Sequence, residues 1–305
     1  MKVIDDSRVL RRAGGDAESV LGPESLTWTR FGDWRTSLLI GWAGTLQVMH
    51  PVISAALVEH SYFLDTPMKR LLRSAVPITR AVYEGPAVGR WIRDEHANIR
   101  GRYSAHGDAT ADGTEYHALN PEPFFWAHAT FFMMQVAAAG VFAEPLTADQ
   151  KEQLYQESKT WYAQYGMSTR IAPETFDDFM RYWDRTIETV LTRTELVDRA
   201  AGFYAGEPGP KPVGAVPGWL WRLIAPPVTR LQVWVCRALL PEPAREALGW
   251  TWTAADQRRF DRFARVVRLV FAVLPPGLRL SWIARRGYRR ARCADGGHGA
   301  MGGGR

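Results

Sequence analysis

Residues 38–58 read LLIGWAGTLQVMHPVISAALV, without one Asp, Glu, Lys or Arg. The stretch decides between a membrane protein and a buried core, because it is long enough to span a bilayer. Gln47, His50 and Pro51 stand near its middle, where polar groups are costly in lipid. Pro51 also pushes the residue before it out of the helical region. The stretch therefore reads as two shorter buried helices broken at His50–Pro51. Residues 123–143, PFFWAHATFFMMQVAAAGVFA, have the same character, with His128 and Gln135 inside, and read as another core helix.

Working outward from these two stretches, helix punctuation is abundant. Thr66-Pro67 and Asn120-Pro121 each place a capping residue before a proline at the first helical position, and Glu84-Gly85-Pro86 opens a further helix. Hairpin signals are scarce: Asp112-Gly113 lies in a polar loop over residues 104–119. The pattern predicts helices over 33–49, 52–61, 67–76, 78–83, 86–103, 121–142, 147–165, 173–192, 193–204, 219–239, 242–247, 253–273 and 276–292. No internal repeat is present. The expected architecture is all-α, one large helical domain over 24–292, with bundle-like or globin-like packing around a buried pocket. Residues 1–23 are an N-terminal extension. The Gly/Pro-rich stretch 206–218 links the body to a C-terminal helical hairpin, and 293–305 form a disordered tail.

Hydrophobic residues make up 46% of the 305-residue chain and charged residues 23%, an ordinary globular balance, whereas 13 Trp favour bulky apolar packing, either a core or the walls of a ligand cavity. The net charge is +6, and Arg279, Arg285, Arg286, Arg289, Arg290 and Arg292 follow one another with no acidic residue between them. Such a run is either a solvated basic helix end or a peripheral contact with an anionic membrane surface. No zinc-finger spacing, RRM signature or aromatic platform accompanies it, so nucleic acid is not an expected partner. Two cysteines, Cys236 and Cys293, provide no disulfide framework. The first nineteen residues hold no apolar signal region. Both features place the protein in the cytoplasm, with membrane contact limited to its surface.

Six of the seven histidines fall between positions 50 and 128: His50, His60, His96, His106, His117 and His128. With 86–103 wound as a helix, Val88, Ile92, Ile99 and Tyr103 share one side, Trp91 stands at its edge, and His96 lies among them. An imidazole in an apolar stripe needs partners for its nitrogens. It is either a core histidine bonded to a carbonyl or a ligand of a metal or haem iron. Arg70, Arg73 and Ser74 project together at i, i+3 and i+4. They form either an anion clamp, suited to a carboxylate or propionate, or a salt-bridged surface. His128 lies on a helix apolar nearly all round and is buried. His50 and His60 flank a short apolar helix, and His106 and His117 belong to an exposed loop.

Other chemistries lack their motifs. There is no HExxH, CxxC, GxSxG, Walker A or GxGxxG sequence in a suitable setting, and Cys236 sits in an apolar helix with no histidine beside it.

Taken in order, Asp33-Trp34-Arg35, the helix ending at His50-Pro51, Glu59-His60-Ser61, Arg70 with Arg73-Ser74, Glu95-His96-Ala97, Gly113-x-x-Tyr116-x-Ala118 and Trp126-Ala127-His128-Ala129-Thr130 resemble the MpaB-like oxygenase family. That family includes the rubber-cleaving latex clearing proteins, and the resemblance spans roughly residues 24–290. It implies an all-helical haem b protein that uses dioxygen to cleave carbon–carbon double bonds in a small apolar, isoprenoid substrate. It assigns iron ligation to His96 and maps the family's Arg-x-x-basic-Thr motif onto Arg70, Arg73 and Ser74, as catalytic residues, with Arg70 and Ser74 also holding the cofactor. Where latex clearing proteins carry a lysine over the distal face, this chain has Arg73. A guanidinium keeps its proton and is a poor iron ligand, so Arg73 is expected to donate hydrogen bonds to oxygen or to a propionate. Trp91, Trp126 and Phe131 would line the apolar wall. The competing readings are a non-catalytic haem or lipid binder at a membrane surface and a structural protein with satisfied core histidines.

Overall fold

A computed structural model describes residues 21–60, 67–209, 211 and 217–299, and for 67–73 and 294–299 the backbone alone. The uncharged stretch forms α3 (Ile40–Val48) and α4 (Pro51–His60), after α1 (Leu26–Phe31) and α2 (Trp34–Ser37). The break falls at Met49 and His50, as the proline requires. Leu39, Leu46, Met49 and Ala55 are fully buried, so these are core helices. The second apolar stretch lies in α7 (Pro121–Phe142), which is long and apolar enough to cross a membrane, but 67% of its most apolar window is buried inside the fold.

α7 is the hub. Trp126 Nε1 donates to the Leu46 carbonyl at 3.1 Å. The Phe125 ring meets Tyr162 and Tyr182 at 5.3 Å each, and Phe132 meets Tyr155 and Phe179 at 5.5 and 5.1 Å. These partners come from α8 (Ala148–Ala163) and α9 (Phe176–Thr189). The contacts are tilted or edge-on, the arrangement that ring quadrupoles favour. α8 starts at a reciprocal Thr147–Gln150 capping box, and Thr175 caps α9. Asn120 precedes Pro121 as expected, although its side chain makes no cap bond; Thr66 lies outside the described residues.

The C-terminal part comprises α10 (Glu195–Arg199), α11 (Ala201–Tyr204), α12 (Gly218–Leu239), α13 (Glu242–Ala247), α14 (Ala254–Val273), α15 (Pro276–Arg279) and α16 (Trp282–Gly299). In the stretch 206–218, the described residues before α12 carry no helix or strand. α12 docks on α3: Gly41 N donates to Gln232 Oε1 at 3.1 Å and Trp42 Nε1 to the Leu239 carbonyl at 3.0 Å. Residues from both parts share one buried cluster, so the chain is a single, mainly all-α domain. α16 continues past Cys293 to Gly299, and residues 300–305 lie outside the described set.

The fold departs from the sequence reading in two places that matter for the site. α5 (Pro67–Glu84) is one helix running through Pro77 rather than two. Pro77 removes only one backbone donor, and tertiary packing can offset that loss. α6 (Pro86–His96) stops at His96, well short of residue 103. The chain then forms β1 (Arg100–Tyr103), antiparallel to β2 (Thr114–His117), with Arg100 opposite His117 and Tyr103 opposite Thr114. The hairpin packs closely at two glycines. A Cβ on Gly101 would lie 2.3 Å from Glu59 Oε2, and one on Gly113 would lie 2.2 Å from the Tyr103 carbonyl oxygen.

Candidate active site around His96

Gly85 alone joins α5 to α6, with φ +84°, a left-handed conformation that glycine adopts without a Cβ penalty. The two helices pack on each other, and Ser74 and His96 stand equally far along the chain from this hinge. Arg70, Arg73 and Ser74 are on α5 at i, i+3 and i+4, as the sequence predicts. Ser74 is half-buried; the side chains of Arg70 and Arg73 lie outside the described residues. α16 braces the far end of α5, where Arg290 donates to the Tyr83 carbonyl at 3.1 Å and the Arg80–Glu84 pair is enclosed.

His96 is the last residue of α6, half-buried on the side of Val88 and Ile92. Its Nδ1 lies 2.7 Å from the Ile92 carbonyl oxygen, which can only accept, so Nδ1 carries the proton and Nε2 the lone pair. A histidine that ligates a metal is commonly held this way by its other nitrogen. The Phe124 ring stands edge-on to the imidazole at 5.9 Å, and the apolar stripe predicted to continue through Ile99 and Tyr103 is replaced by this contact. Ile99 and Tyr103 instead pack with Tyr116 under the hairpin.

Two features fix where α6 ends. Gly89 lets the helix press on the turn after α8, because a Cβ there would lie 2.5 Å from the Gln164 carbonyl oxygen. His117, expected in an exposed loop, is half-buried and clamps the turn after His96. Its Nε2 donates to the Ala97 carbonyl at 3.0 Å, and its Nδ1 accepts from Leu119 N at 3.1 Å. No sequence signal pointed to this role, because the clamp exists only once residues 114–117 pair as a strand. At the neighbouring end of α4, Tyr116 donates to Glu59 Oε2 at 3.1 Å, and His60 Nε2 donates to the Arg100 carbonyl at 3.0 Å. Burial, and then the Glu59 carboxylate, push the Tyr116 phenol well above its ordinary range.

The other histidines separate from His96. His50 is buried with Nε2 2.9 Å from Glu122 Oε2. His106 is exposed. His128 is buried among Trp161, Tyr162 and Tyr165, with Nε2 3.0 Å from the Ser158 carbonyl oxygen. Desolvation holds its pKa down at about 3, so it is neutral. Cys236 is equally inert: burial raises its thiol to about 12. Trp126, expected in a pocket wall, is instead closed inside the core against Trp183 at 4.8 Å, whereas Trp91 and Phe131 are half-buried.

Among the described residues, no three His, Cys, Asp or Glu side chains converge as a metal-ligand set. A groove of about 620 Å³, lined by His106, Asp108, Arg193, Glu195, Asp198 and Arg199, contains none of the predicted site residues. The donor chemistry of His96, with Nδ1 held by a backbone carbonyl, fits a group that brings its remaining ligands with it, as a porphyrin does.

A family model described as ER-bound oxygenase mpaB/B'/Rubber oxygenase, catalytic domain, matches residues 28–269. No match was found among curated proteins or solved structures.

Proposed function

Because the chain belongs to the mpaB/rubber oxygenase catalytic-domain family, an oxygenase family, we propose that it is a haem-b-dependent oxygenase acting with dioxygen on a small apolar, isoprenoid-like substrate. The observation that carries the assignment of the iron ligand is the 2.7 Å bond from His96 Nδ1 to the Ile92 carbonyl. It sets the tautomer and fixes the ring plane, as the outer partner of a metal-ligating histidine does. When bound, haem b supplies the redox-active iron that dioxygen chemistry requires.

The protein's own part is binding and orientation. His96 would hold the iron of such a group. Arg70 and Ser74 would serve as donors for a propionate, and Arg73, a guanidinium and a poor metal ligand, would supply hydrogen bonds to bound oxygen or a propionate. Trp91 and Phe131 present apolar surface suited to a hydrocarbon chain.

The experiment is a pyridine-haemochrome and visible spectrum of the purified protein after reconstitution. The wild type is expected to take up haem b with a Soret band. His96→Ala is expected to lose that band and regain it with added imidazole. A chain that takes up no haem overturns the proposal, and an unchanged spectrum in His96→Ala overturns the ligand assignment.

A further inference from the structure

The large apolar side chains that are exposed among the described residues all come from α2, α12, α14, α15 and α16. On α14, Val266, Leu269, Val270 and Val273 stand at i, i+3, i+4 and i+7, a single stripe, and Val273 is 82% exposed. On α12, Trp219, Leu223, Ile224 and Val228 are exposed in its first half. Trp34, Leu278 and Trp282 complete the set.

Specific contacts bring these segments together. Trp234 of α12 meets Phe260 and Phe263 of α14 at 5.5 and 5.3 Å. Further along α14, the Arg35 guanidinium covers the Phe271 ring at 5.0 Å. Arg35 precedes α3, whose Gly41 is bonded to Gln232, so α14 climbs toward the end from which α12 descends. Ser281 N donates to the Gly32 carbonyl at 2.8 Å, which brings α15 and the start of α16 to the same end.

The charge there is one-sided. From 262 to 292 the chain carries nine arginines and no acidic residue; Arg268, Arg279 and Arg290 bond carbonyls of the fold, and Arg262, Arg265, Arg285, Arg286, Arg289 and Arg292 are exposed. α16 shows the combination on one face: Trp282, Arg285, Arg286 and Arg289 stand at i, i+3, i+4 and i+7 and are all exposed, while Ile283 and Ala284 are buried. On α14, Arg259 and Arg262 continue the apolar stripe toward the helix start.

We propose that this end is a docking surface for an anionic lipid bilayer, in which the α12, α14 and α16 apolar side chains enter the acyl boundary and the arginines meet the headgroup phosphates. Exposed apolar area rimmed by arginine is what an interfacial protein presents to lipid. A second copy of the chain is a poor occupant, since two such arginine-rich surfaces repel. The surface is separate from the His96 site and does not depend on haem binding. It would let a membrane-dissolved hydrocarbon reach the protein without crossing water.

Flotation of the full chain with phosphatidylcholine vesicles, with and without phosphatidylserine, tests this. Wild type is expected to bind the phosphatidylserine vesicles and to be released by high salt. Leu269→Glu with Val273→Glu is expected to lower partitioning by more than about tenfold, because two exposed apolar anchors are replaced by charge. Arg285→Glu with Arg289→Glu is expected to lower it about as much and to flatten the salt dependence. Circular dichroism should match wild type in both. Wild type that stays off both vesicle types, or apolar variants that bind as wild type does, overturns the proposal. A dimer in sedimentation analysis that Leu269→Glu with Val273→Glu abolishes would identify a second copy as the occupant and overturn it as well. The variants' haem spectra should remain those of wild type, which keeps failure here distinct from failure at His96.

Discussion

His96 and His128 belong to the same fold and face opposite tasks. His128 sits in the middle of α7, fully enclosed, with Nε2 committed to Ser158 on a different helix. It joins two helices and stays neutral because the core does not solvate a cation. His96 sits at the end of α6, half-buried, with Nδ1 committed to a carbonyl one turn back in its own helix. That bond joins nothing distant; it only orients the ring. The difference teaches that burial alone does not mark a functional histidine. What separates the two is where the anchored nitrogen is spent, on tertiary structure for His128 and on self-orientation for His96.

The sharpest way to break the comparison is to delete each ring in turn. With His96 as the proposed ligand, His96→Ala should reduce retained haem by at least about tenfold, since a direct ligand matters no less than the outer partners whose loss costs 10–100-fold. Its urea midpoint should barely move, as the side chain is only half-buried. His128→Ala should do the reverse. Removing a buried ring and its bond to the Ser158 hydroxyl should cost about 2–4 kcal/mol, with haem uptake unchanged where the protein remains folded. Equal effects of the two variants on haem would erase the distinction.

A pH series sharpens the same contrast. The His128 pKa is about 3 in the folded chain against 6.5 for a free histidine. Between those values the unfolded chain binds the extra proton, so stability is intact above pH 6.5 and declines as pH falls. The slope from this group is up to about 1.4 kcal/mol per pH unit. Urea midpoints between pH 7 and pH 5 should show that decline in wild type, and His128→Ala should lose this component of it.

Much of the comparison was legible in the sequence. The lack of charge in residues 38–58, with His50-Pro51 inside, was enough to place two core helices and their break, because proline geometry acts locally. His128 was legible as buried because α7 is apolar around its whole circumference. The i, i+3, i+4 spacing of Arg70, Arg73 and Ser74 survived because α5 is continuous there. The environment of His96 was only half legible. Its apolar side was correct through Val88 and Ile92, but the helix ends at His96, and the residues that replace Ile99 and Tyr103 come from α7. The chain leaves the helix to pair residues 100–103 with 114–117, with Gly101 set against the Glu59 side chain, and helical periodicity carries no trace of such contacts. His117 was misread for the same reason.

Smaller effects should come from the parts that hold α6 in place. Gly89→Ala puts a Cβ 2.5 Å from the Gln164 carbonyl oxygen, so the helix must shift; the cost should be about 1–3 kcal/mol, read as a lower urea midpoint together with a displaced Soret band. His117→Ala should be the mildest. It removes two neutral hydrogen bonds at a half-buried position, each worth about 1 kcal/mol or less after exchange with water. Yet the bond to the Ala97 carbonyl lies one residue beyond His96, so its loss frees the turn that ends α6. Thermal unfolding of His117→Ala should therefore shift by only a few degrees, while the haem dissociation rate rises more than stability alone accounts for. A dissociation rate that stays at the wild-type value would mean that the Ile92 carbonyl by itself suffices to aim His96.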